Sequence, residues 1–329
     1  MAGRITARAG RRRWALTGIT LAGTILAGLA IPAVAAPPRD IPIEGSRIYP
    51  ESITSDAAGN LYVGSNSGTI YRALKGAATA TPWIVPGPDN GLKSLFGVYA
   101  DDARHLLWTC SNPNLFSRPP APGVSELKAF DLTSGKLKAS YPFPEGKPTA
   151  CNDIAVAPDG TTWASETMSG RIFVLRPGAT ALELWVESAD LVGIDGITVG
   201  GDGKLYINNV RKQLFQRVEA KADGSFDRLV TLTPSQVLNG PDGLRALGGN
   251  RFLQAEGPGG RVGIWTVEGD TATLAPVIAS GLDGSVGVTR SGDTVYVVEG
   301  KIGYMFDPAL KDKSPDPFII RAFPLPVAN

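Results

Sequence analysis

The sequence predicts an all-β chain closed into a six-bladed β-propeller, and two observations carry that reading. A short motif recurs six times: a lead residue that is usually polar, a mostly apolar stretch, a Gly/Asp turn, and a second apolar stretch. Its clearest copies are 51–63 (ESITSDAAGNLYV), 152–164 (NDIAVAPDGTTWA) and 195–207 (DGITVGGDGKLYI). Weaker copies start at Phe96, Asp242 and Gly284, so leads at 51, 96, 152, 195, 242 and 284 are separated by 45, 56, 43, 47 and 42 residues. A period of roughly 40–50 residues made of short strands and tight turns is the mark of propeller blades. The second observation is that no segment beyond the N-terminus sustains a 3.6-residue apolar period, so no long helix is expected.

Taken in order, residues 1–35 read as an export signal. Arg4, Arg8 and the run Arg11, Arg12, Arg13 form a basic start, Trp14 to Ile31 an apolar segment, and Ala33, Val34 and Ala35 a small-residue cleavage site. The adjacent arginines suit twin-arginine export, and the general secretory route fits equally; an uncleaved membrane anchor is the alternative. Residues 36–329 then form a single propeller domain, without a further stretch long and apolar enough to span a bilayer.

The Pro-rich lead 37–48 is expected to add a strand to the last blade and close the ring. Blade one reads Ser52–Ser55, Leu61–Gly64, Thr69–Arg72 and Pro82–Val85, with a turn at 66–68. Blade two carries the one long insertion, Ser111–Ser125, whose prolines forbid regular structure. The insertion emerges on the face of the lead residues, where it could be a rim or lid over a site or a plain surface loop. Blade three continues as Arg171–Leu175 and Leu182–Glu187, blade four as Gln213–Val218 and Ser225–Leu229, and blade five as Arg261–Val267 and Thr273–Ile278. Blade six is expected to use Ile302–Phe306 and Phe318–Phe323.

Composition removes several chemistries. The formal net charge is +1 with no basic run outside the N-terminus, so a phosphate-binding surface is missing and nucleic acid is not an expected partner. The single histidine, His105, falls in the turn between the first two strands of blade two, on the face opposite the leads. Ser-His-Asp and Cys-His sites therefore lack a base, and zinc sites of several His or Cys are excluded. Export would place Cys110 and Cys151 in an oxidising compartment. One ends a strand of blade two and the other precedes the first strand of blade three, so the pair suits a disulfide, the alternative being two buried thiols.

What remains is oxygen chemistry at the channel mouth. First strands line the channel of a propeller, so the leads Glu51, Asn152, Asp195 and Asp242 converge from blades one, three, four and five, leaving Phe96 and Gly284 at the other two positions. Three carboxylates held together repel and rise in pKa unless a cation sits among them. Carboxylate and amide oxygen without nitrogen or sulfur is the donor set of a hard divalent cation, Ca²⁺ first and Mg²⁺ next. The alternative is four polar residues facing channel water. Second-strand ends add Asn66, Asn112, Glu166, Asn208, Glu256 and Glu299 as rim groups that could touch a substrate or be solvated loop residues.

In these residues the chain resembles the SMP-30/gluconolactonase-like six-bladed propellers, which are related more distantly to paraoxonases. The resemblance rests on Pro50-Glu51 opening blade one, Asn152-Asp153 opening blade three, Asp195-Gly196-Ile197 in blade four and Pro241-Asp242-Gly243 in blade five. It implies one divalent cation held by Glu51, Asn152, Asp195 and Asp242, with Asp242 as general base. Two departures stand out. Sugar-lactone members usually carry Asn-Gly where this chain has Asp195-Gly196, and an Arg where it has Ala150. The histidine that paraoxonase-like enzymes place beside calcium has no counterpart.

The expectation is an exported, periplasmic or extracellular, metal-dependent hydrolase of lactones or related esters acting on a small molecule. Two alternatives stand beside it. One is a propeller that binds a ligand or partner and keeps its cation for structure; the other is a lactone-opening lyase, for which His105 lies on the wrong face.

Overall fold

The computed structural model describes residues 1–4, 6, 9, 10 and 37–326, apart from Arg118, Pro120 and Lys311. The arginine run, apolar segment and cleavage site of the expected export signal lie outside the described residues. Among the described residues, no helix is long and apolar enough to cross a membrane.

Six small sheets, antiparallel apart from one added strand in blade five, follow one another along residues 37–326, one per expected blade. Blade one runs Pro50–Ser55, Leu61–Ser65, Ile70–Ala73 and Thr81–Ile84; blade three runs Cys151–Val156, Thr162–Glu166, Arg171–Leu175 and Glu183–Glu187. The inner strands are buried on both faces, as Leu61–Ser65 and Arg171–Leu175 are along their whole length. Packing explains this: six apolar clusters fill the six gaps between neighbouring blades. Outer strands meet water and alternate, as in Thr271–Ser280. The ring is closed by the N-terminal lead, since Ile41–Pro42 pairs with Ile319–Pro324 as the outermost strand of blade six.

That closure corrects one expectation. Ile302–Phe306 is not a strand of blade six; Gly303–Phe306 is a single helical turn. Blade six takes Ser285–Ser291, Thr294–Glu299 and Ile319–Pro324 from its own segment and its fourth strand from the N-terminus, so 300–318 is free to loop out. Pro308, Pro315 and Pro317 suit a loop there. Blade five has gained a fifth strand, Thr233–Pro234, which pairs parallel with Thr271–Ala272.

The strand holding Cys110 runs on to Asn112, and Cys110 and Cys151 are joined by a disulfide between blades two and three, Cα to Cα 5.2 Å. Asn112 is buried beside it, accepting from Cys151 N–H at 2.9 Å and donating to Cys151 C=O at 2.9 Å.

Candidate functional site

Every first strand carries a bulge near its start. Register slips between Pro50 and Ser52, Leu95 and Val98, Cys151 and Ile154, Ile194 and Ile197, Pro241 and Leu244, and Ser285 and Gly287. A bulge re-aims the extra residue away from the ladder. The residue following the last paired position is Glu51, Phe96, Asn152, Asp195, Asp242 and, in blade six, Val286. Val286 therefore takes the position expected for Gly284, two residues on. In blades two, four, five and six close packing of the bulged strands leaves room only for glycine behind the lead. A Cβ on Gly196 would stand 2.5 Å from Asp242 C=O, and one on Gly287 would stand 2.9 Å from Ser52 Cα.

Glu51, Asn152, Asp195 and Asp242 line one cavity with Asp153, Arg245 and Val286. Its free space, ≈ 10 Å³, is about that of one water molecule or ion. Glu51, Asn152 and Asp195 are buried, and Asp242 is half-buried. Hydrogen bonds to the backbone hold the bulges in place. Ser165 donates to Asp195 C=O at 2.7 Å; Asn208 accepts from Gly196 N–H at 2.8 Å and donates to Asp242 C=O at 2.6 Å.

Among the described residues, no group of three or more His, Cys, Asp and Glu side chains is arranged to hold a metal as it stands. The ring is instead closed on itself: Asn152 Nδ2 donates to Asp195 Oδ2 at 3.0 Å, and Asp195 shares a hydrogen bond with Asp242. The donor chemistry still fits a hard cation, with three carboxylates and one amide around a space of ionic size. Seating an ion requires Asn152 to turn its oxygen inward and the Asp195–Asp242 hydrogen bond to open.

The electrostatics show why the ring holds protons. Burial pushes the Glu51 carboxyl well above its ordinary range, Asp195 and Asp153 push it further, and Arg245 opposes them. Asp195 is raised to about 7 by burial and by Asp153, against the hydrogen bonds from Asn152 and Asp242. Asp242 is raised well up by burial, then by Asp195 and Glu51. Buried like charges disfavour ionisation in this way.

Arg245 is the residue that sequence reasoning missed. It rises from blade five across the channel to form two hydrogen bonds with Asp153 of blade three, at 2.6 and 3.0 Å, and reaches Val98 C=O of blade two at 3.2 Å. Its guanidinium is committed to Asp153, so the three ring carboxylates lack a dedicated basic partner. The signal was a cation in an inner strand whose only other charged residue is Asp242.

The rim residues fall elsewhere. Glu166, Glu256 and Glu299 each accept the backbone N–H of the loop before their own first strand, from Ala150, Asn239 and Asp283. Glu166 also pairs with Arg171 at 2.9 Å and Glu256 with Arg261 at 2.7 Å. Asn208 is buried behind the ring as a backbone clamp. None of these four side chains lines the carboxylate cavity. His105 sits in a left-handed turn (φ 54) past the end of its first strand, remote from the ring.

Beyond the carboxylate cavity lies a wider cleft of ≈ 480 Å³ between blades five and six. Asp242 is the one ring carboxylate that lines both spaces.

A family profile described as strictosidine synthase-like, N-terminal, matches residues 41–73 only. No curated protein matches the chain at a significant level. Solved structures share its fold. The major allergen Mala s 1 of Malassezia sympodialis superposes with a TM-score of 0.68 at 13% identity, covering 89% of this chain and 98% of that one. A gluconolactonase from Xanthomonas campestris gives 0.62 at 14% identity, with 89% and 99% covered. A virginiamycin B lyase from Staphylococcus aureus, in a form inactivated by a histidine-to-alanine substitution, gives 0.58 at 15% identity, with 86% and 82% covered. At such identities the likeness establishes the six-bladed propeller and stops there.

Proposed function

We propose that this chain is an exported hydrolase of lactones or related esters that depends on one divalent cation at the channel mouth. The observation that carries the reading is Asp242: a carboxylate raised in pKa, shared between a ring of oxygen donors and a cleft large enough for a small molecule. Groups tuned in this way and placed in a cleft suit acid–base work.

Glu51, Asn152, Asp195 and Asp242 would hold the cation, calcium first and magnesium next. Bound there, it would supply positive charge to polarise the substrate carbonyl and neutralise the oxyanion. Asp242 takes a proton from water as the water oxygen bonds to the acyl carbon. When the bond to the alkoxy oxygen breaks, Asp242 returns the proton to that oxygen, so a lactone leaves as its hydroxy acid. Asn208 and Ser165 keep the Asp242 and Asp195 backbones in place. Hydrolysis is favoured over lactone opening by elimination because the chain's only histidine stands at the far end of the blade.

The test combines elemental analysis of the purified protein with turnover on a panel of lactones and esters. A bound divalent cation and chelator-sensitive turnover are expected. Asp242→Asn should retain the cation and lose on the order of 10²–10⁴-fold in turnover, since an amide ligates through oxygen but accepts no proton. Full turnover in Asp242→Asn would move the base to Glu51. A filled cation site with no lactone or ester cleaved would favour the non-catalytic binding propeller.

A further inference from the structure

We infer that the cleft above Asp242 selects substrates carrying an apolar alkyl or aryl group, in place of polyhydroxylated sugar lactones; this rests on the hydrolase reading of the ring. The cleft, ≈ 480 Å³, opens directly onto Asp242, and its walls include Pro258, Leu282, Val286 and Ile302. Among the described residues Asp283 is the only other ionisable one lining it. No Lys, Arg, His, Asn, Gln, Ser, Thr or Tyr among the described residues lines it, so sugar hydroxyls would find few side-chain partners there.

A second, independent observation points the same way. The ring positions of blades two and six, on either side of Glu51, hold Phe96 and Val286, so two of the six positions are apolar. An aromatic chain links Phe96 to the loop beside the cleft: Phe96 stacks on Phe116 at 6.0 Å, and Phe116 meets Phe306 edge-on at 5.1 Å. Phe306 belongs to the helical turn beside Ile302 and Gly303 of the cleft wall, and it is 46% exposed. Two loops from different blades thus meet through aromatic rings beside the cleft wall, leaving the exposed face of Phe306 for a substrate tail to cover. Ala150, where the sugar-lactone relatives carry arginine, is buried with its N–H bound to Glu166 and offers nothing to a sugar.

The test uses lactams, which resist hydrolysis and so report binding whether or not the protein is a catalyst. γ-Lactams bearing ethyl, pentyl and octyl tails, and a polyhydroxylated sugar lactam, are titrated calorimetrically into the full chain with calcium. Affinity should rise roughly fourfold per buried CH₂ until the cleft is full, and the sugar lactam should bind worst. Phe306→Ser, at an exposed position, should keep the fold and flatten the dependence on tail length; Leu282→Ser should do so more strongly. Equal affinity for all tails, or tightest binding of the sugar lactam, overturns the inference. Tail-dependent binding with no lactone turned over would instead sink the hydrolase reading and leave the apolar ligand class standing. Turnover with flat lactam affinity does the reverse.

Discussion

Replacing Asp195 by asparagine should stabilise the cation-free protein at pH 8 and remove the stabilisation that a cation confers. Asp195 has its carboxyl raised to about 7 from an ordinary 3.8. The folded state therefore keeps a proton over a range where the unfolded chain has lost it. Stability from this group is complete below about pH 4, falls as pH rises through about 7, and stays low above that. Three units at 1.36 kcal/mol each give a cost on the order of 4 kcal/mol at pH 8. Glu51 and Asp242 are pushed in the same direction, so the three lose their protons as one coupled cluster. Asp131 and Asp223, whose carboxyls are held low by hydrogen bonds from Ser134 and Ser225, bend the curve the other way in acid. The quantity to read is therefore the difference between variant and wild type. Urea unfolding followed by tryptophan fluorescence, in chelator from pH 4 to 8, should show near-equal midpoints at pH 4, a gap that widens with pH, and a higher midpoint for Asp195→Asn at pH 8. Calcium at 100 times its Kd should add about 2.7 kcal/mol to wild type, and clearly less to the variant. If Asp195→Asn is the weaker protein at pH 8 and its profile parallels wild type, the ring is not under charge stress and the reasoning fails.

Arg245→Met should cost about 3–5 kcal/mol, because it leaves Asp153 charged and unpaired in the channel, and adding Asp153→Asn should recover part of that loss; unchanged urea midpoints would contradict the strut. The Cys110–Cys151 bridge should contribute about 2–4 kcal/mol, read as the difference in unfolding midpoint with and without reductant. Two free thiols in the denatured, unreduced protein would rule it out.

Much of the fold was legible because a propeller repeats its physics. Each blade needs the same turns and the same doubly buried inner strands, so the period is written in glycine and apolar spacing. Even ring closure could be read from the Pro-rich lead 37–48 before blade one, which pairs with the last strand through Ile41 and Pro42. The sixth ring position slipped by two because the alignment leaned on Gly284. Gly97, Gly196 and Gly243 each follow their lead residue, and aligning on that glycine places Gly287 behind Val286. Glu166, Glu256 and Glu299 repeat faithfully, but each repeats a contact inside its own blade. A shared position in the repeat does not say whether a side chain turns to the axis or to its own loop. Arg245 has its partner 92 residues away, which no local pattern encodes. Ile302–Phe306 has the composition of a strand, and the strand's place had already been taken by the N-terminus.

Blades two and six supply a control built into the molecule. The ring position in those blades has the same bulge and the same glycine behind it as in blades four and five, and it is filled by Phe96 and Val286. The backbone at this position therefore makes no demand for an acid, and an apolar side chain packs there well. Glu51, Asp195 and Asp242 accept burial and mutual repulsion that Phe96 and Val286 avoid. Arg245 relieves that strain only in part, easing Glu51 while its guanidinium is bound to Asp153. Locally unfavourable choices that the fold does not require are the ones to assign to function. The mouth thus combines three carboxylates with two apolar positions, and Asp242 opens onto a cleft walled by Pro258, Leu282, Val286 and Ile302, which is what a substrate with one polar reacting group and one apolar tail would need.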